Sequence, residues 1–163
     1  MKKVKKRVMK PWLKNVLSAL EVAIFGFILL NLTFLFDVLF QSLIDLFVSL
    51  FTQVNISMDW SWFSPFKHVL FVIVIGLISW FVFKSRLKVI YKAIYMVVPI
   101  AVVLATLGMF LYRWPMILYP LGALLCLGTL YYFYRTKQPW LYYYAVILIS
   151  ITLTIFTLFG GEI

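Results

Sequence analysis

Residues 16–36 read VLSALEVAIFGFILLNLTFLF, and this stretch decides the fold class. Fourteen of its positions are Leu, Ile, Val or Phe. At about −0.3 to −0.6 kcal/mol each, these contribute roughly −4 to −8 kcal/mol towards bilayer insertion. Glu21 opposes insertion by at most about 3 kcal/mol, and it lies towards one end of the stretch. The segment therefore reads as a transmembrane helix. It is longer than the apolar core of a signal peptide, and no small-x-small site closes it, so an uncleaved first span is expected.

The rest of the chain has the same character. Of 163 residues, 65% are hydrophobic, 20% aromatic and 12% charged. Soluble domains are about half apolar and a quarter charged, and disordered chains are charged and poor in aromatics, so both classes are excluded. Further apolar stretches predict spans over about 66–83, 90–112, 115–134 and 140–159. The reading is an all-α, polytopic membrane bundle of five transmembrane helices in one membrane domain, 1–163.

Between the first two spans, residues 37–53 continue as helix but change pattern. Asp37, Gln41, Asp45 and Ser49 recur every four residues, while Leu39, Phe40, Leu43, Phe47, Leu50 and Phe51 occupy the opposite side. That is an amphipathic helix, expected at the outer interface, with its acidic stripe of Asp37, Gln41 and Asp45 solvated, touching Lys67 or Arg113, or lining a cavity. In an oligomer the stripe would form a cation-attracting ring. The polar run 54–66 that follows carries Trp60 and Trp62, suited to a headgroup region, and an Asn55-Ile56-Ser57 sequon.

Charge sets the orientation. Seven of the fifteen Lys/Arg lie in the basic flank 1–15: Lys2, Lys3, Lys5, Lys6, Arg7, Lys10 and Lys14. With the N-terminus cytoplasmic, Lys84, Arg86, Lys88, Lys92, Arg135 and Lys137 fall on the same side, leaving Lys67 and Arg113 outside. Every loop then obeys the positive-inside rule. Splitting 16–52 into two spans would put the 84–92 cluster outside. The expectation is a plasma-membrane protein of bacterial inner-membrane type, N-terminus in and C-terminus out. The net charge of +10 is accounted for by topology and by anionic lipid at the basic N-terminus, rather than by nucleic acid.

Chemistry is sparse. One His, His68, and one Cys, Cys126, cannot build a metal or haem site from N and S ligands. No phosphate loop, nucleophile elbow or HExxH motif occurs, so no catalytic residue, cofactor or metal is expected. Glu21 and Lys92 lie at similar depth in spans one and three and form a candidate intramembrane ion pair. Pro99 and Pro120 fall inside spans three and four as candidate helix kinks. The function expected is that of a non-catalytic small membrane subunit or accessory protein. It would act through intramembrane helix packing with a hetero- or homo-oligomeric partner. The alternatives are a homo-oligomeric channel or small-molecule transporter, and a lipid-modifying enzyme.

Overall fold

The structure, a computed structural model, describes residues 10–51, 63–111 and 113–158. The basic run 1–9, the sequon, Trp60 and Trp62 lie outside the described residues.

Helix α1 (Pro11–Phe51) begins at a proline, which suits a first helical turn. No further proline follows, and the helix continues unbroken for 41 residues, about 61 Å at 1.5 Å per residue. Several of its polar side chains bond back to the helix itself. Asn31 Nδ2 donates to the Phe27 carbonyl, Thr33 Oγ1 to Leu29 and Ser42 Oγ to Val38, each at 2.8 Å. Such back-bonding gives these side chains a partner in hydrocarbon. The amphipathic stretch read over 37–53 does continue as helix to Phe51, and it runs on from the first span within one element. Nothing between Phe36 and Asp37 breaks the backbone, and its described part is the last third of α1.

Four shorter helices follow: α2 (Phe63–Lys84), α3 (Val89–Leu111), α4 (Pro115–Arg135) and α5 (Trp140–Leu158). All five helices are long and apolar enough to cross a membrane, and the described residues contain no strand. Helix α4 ends on a Schellman-type turn, with Gln138 N bonding to Phe133 O at 3.0 Å and Lys137 N to Tyr134 O at 3.2 Å. Lys137 takes the left-handed conformation there, φ 51°, a place that glycine usually fills.

Cross-helix contacts fix the order along the bundle. Asp45 meets Lys67, Phe71 meets Phe36 and Phe40, and Lys92 meets Phe83. Thus α1 and α3 run in the same direction and α2 returns between them. The near end is where α1 and α3 begin, and the far end is where α2 begins. Helix α3 is the centre, touching each of the other four. Where α1, α3 and α5 meet, Val22, Ala93, Ala101, Ala145 and Val146 are fully buried. Small side chains let helices approach closely in lipid, where packing rather than water exclusion drives association. Gly26 gives the tightest approach, since a Cβ built there would lie 3.0 Å from Val97 Cγ2.

Helix α4 is peripheral: it buries Phe133 alone, whereas α3 buries seven residues, from Ala93 to Gly108. Pro99 and Pro120 sit inside helices that continue through them. Each ring removes the N–H that would have bonded to the carbonyl four residues earlier, at Tyr95 and Met116.

Candidate functional site

Two constellations stand out, a polar cluster at the far end and a slot at the near end.

The cluster joins α1 to α2. Four-residue spacing puts Asp37, Gln41 and Asp45 on one side of α1, and that side faces the start of α2. Gln41 Nε2 lies 3.1 Å from Asp37 Oδ1 and 3.2 Å from His68 Nδ1. An amide nitrogen carries two hydrogens, so Gln41 donates to both when His68 Nδ1 is unprotonated and the ring proton sits on Nε2. Asp37 Oδ2 lies 3.5 Å from the same Nδ1. One turn further along α1, Asp45 accepts from Lys67 Nζ through both carboxylate oxygens at 2.8 Å. The Lys67 side chain is 11% exposed and that of Asp45 54%. The ammonium also lies 5.3 Å from the Phe63 ring centroid. The stripe expected at an outer surface therefore packs against α2.

His68 is the member that the sequence reading did not connect to this stripe. The signal was its position beside Lys67. Once α1 and α2 form an antiparallel pair, residues 37–45 and 67–68 must lie at one level.

The expected Glu21–Lys92 pair is not formed. Lys92 Nζ donates to the Phe83 carbonyl at 2.7 Å, in the last turn of α2. That carbonyl is one of those a helix C-terminus leaves free, and it satisfies the ammonium locally. Glu21 instead borders a separate groove with Phe25, Leu32 and Tyr91. Similar depth in two helices did not put the two groups on facing sides.

The slot lies between α3, α4 and the start of α5, with a volume of about 590 Å³. Lys92 and Gln138 are at its near end, and Pro99, Leu104, Leu125 and Thr129 line its length. Ligand cavities span about 300–1,000 Å³, so this one has the size of a ligand site. No sequence pattern announces it, because a slot depends on how three helices splay apart.

Among the described residues no group of His, Cys, Asp and Glu is placed to hold a metal ion. Cys126 Sγ lies 3.0 Å from Ser150 Oγ, a contact with no base beside it. No buried side-chain nitrogen or oxygen of the described residues lacks a partner. Comparison with protein-family models, curated proteins and solved structures finds no match.

Proposed function

We propose that this multi-pass membrane protein is a non-catalytic subunit or accessory protein that binds a helical partner along α1. It would reside in the plasma membrane, N-terminus cytoplasmic and C-terminus outside, as its Lys/Arg distribution favours.

The observation that carries this reading is a seam on α1. Leu32, Phe36, Leu39, Leu43, Leu46 and Leu50 follow one another at spacings of four and three residues, the repeat of a helix that packs lengthwise on another helix. The five leucines are each more than half exposed. At about 100° per residue, the leucines lie opposite the face of Asp37, Gln41 and Asp45, while Phe36, at the edge of the seam, also touches Phe71 of α2. Its later part runs beside the start of α2, where Lys67 meets Asp45. Up to Phe36 an apolar seam could serve lipid alone. From Leu39 onwards the same spacing persists on a helix whose other side has turned polar, which favours a protein partner.

The test is native mass spectrometry of complexes purified in mild detergent from the protein's own host, with Leu46→Glu/Leu50→Glu as the comparison. A stoichiometric complex with a different membrane protein, lost in the variant while elution of the chain itself is unchanged, is the expected result. A homo-oligomer of defined size would instead favour a channel or transporter. A monomer with bound lipid and no protein would overturn the subunit reading.

A further inference from the structure

We infer that the slot between α3, α4 and α5 is a site for one anionic phospholipid, its acyl chain in the slot and its headgroup phosphate on Lys92. The chemistry changes along the slot in the way such a ligand requires. Lys92 and Gln138 are at one end, and the walls beyond are set by Pro99, Val103, Leu104 and Leu125. From Lys92 to Leu104 is twelve steps along α3, about 18 Å. The hydrocarbon core of a bilayer is about 30 Å thick, so the slot is about as deep as a single leaflet.

Charge selects the headgroup. An ammonium has three donors, and Lys92 uses one on the Phe83 carbonyl. Among the described residues no carboxylate pairs with it. Two donors remain for phosphate oxygens. Lys84, Arg86 and Lys88 on the α2–α3 connection, and Arg135 and Lys137 after α4, lie at the same end and add to the field that attracts anionic lipid. Gln138 is held at the mouth by its N–H bond to Phe133 O. A zwitterionic lipid offers the same phosphate but brings its own cation, which these charges oppose. The inference does not depend on the α1 seam or its partner.

The experiment uses the purified full chain in mild detergent, titrated with dioleoyl phosphatidylglycerol or dioleoyl phosphatidylcholine and read by native mass spectrometry. One phosphatidylglycerol should be retained in preference to phosphatidylcholine. Lys92→Met should weaken that binding about tenfold or more, the loss of a hydrogen bond to a charged group. Lys92→Arg should retain it, Lys88→Met, which trims only the surrounding field, should weaken it by about fivefold at most, and Val103→Trp, which fills the slot, should abolish it. Equal retention of the two lipids would overturn the site. So would unchanged binding in Lys92→Met, or equal losses in Lys88→Met and Lys92→Met, which would indicate diffuse charge. Unchanged binding in Val103→Trp, or displacement by millimolar inorganic phosphate, would overturn the acyl-chain assignment.

Discussion

Replacing Gly26 by alanine tests how closely α1 and α3 are bound to one another. In a helix interior the change from glycine to alanine is worth about 1 kcal/mol in favour of alanine. At this position the added Cβ would lie 3.0 Å from Val97 Cγ2, where carbon atoms prefer about 3.5–4.0 Å. Val97 is 2% exposed and β-branched, so it cannot turn aside into another rotamer. The helices must separate by about half an ångström, and overpacking of this kind costs about 1–3 kcal/mol. Gly26→Ala should therefore be destabilised by about 1 kcal/mol net. Gly76→Ala is the internal control, because a Cβ there meets nothing within 4 Å, and it should be neutral or gain up to about 1 kcal/mol. Adding Val97→Ala to Gly26→Ala should recover at least about 0.5 kcal/mol relative to the sum of the two single changes. Cys126, the single cysteine, is half-buried, so heating in detergent with a thiol-reactive dye reports unfolding directly. If Gly26→Ala melts as high as Gly76→Ala, the close approach of α1 and α3 carries no energetic weight and this reasoning is wrong.

Three further outcomes follow from the polar contacts and the α4 turn, readable in the same assay. Asp45→Asn should destabilise by about 1–3 kcal/mol, because it strands the buried Lys67 ammonium. Lys67→Met should cost less, since Asp45 is exposed enough to be hydrated alone, and the reverse order would sink this account of the pair. Glu21→Gln and Lys92→Met should add within about 0.5 kcal/mol, as expected of groups that share no contact; a larger coupling would restore the ion pair that the structure does not show. Lys137→Gly should raise stability by about 1 kcal/mol, the usual penalty for a side chain in the left-handed region, and a fall in melting temperature would argue against that turn.

The fold class was legible in the sequence because hydropathy acts one helix at a time. Each span needs only enough apolar residues to offset its few charges, and residues 16–36 satisfy that on their own. The continuity of α1 was legible too, because Asp37 changes the pattern of the helix surface but not its backbone; what the pattern alone does not show is that the polar side meets α2. Pairings were legible only where chain direction constrains them. Asp45 with Lys67 follows from two antiparallel helices joined end to end. Glu21 with Lys92 assumed facing sides on two helices that are not adjacent in sequence, and depth along a helix says nothing about rotation around it. The slot was beyond sequence altogether, since its walls come from α3, α4 and α5 at separations no periodicity encodes.

The central place of α3 also bears on how the molecule is made. Synthesis proceeds from the N-terminus, so α1 and α2 enter the bilayer before the helix that holds everything together exists. At that stage α2 has α1 alone to rest on. What joins them is the Phe36–Phe40–Phe71 ring cluster and the polar contacts of Asp37, Gln41 and Asp45 with Lys67 and His68. In lipid, bonds between polar side chains hold helices that hydrophobicity alone cannot. The far-end cluster thus acts as a latch on a newborn hairpin, fixing the rotation of α1 against α2 until α3 arrives to meet a surface already in register.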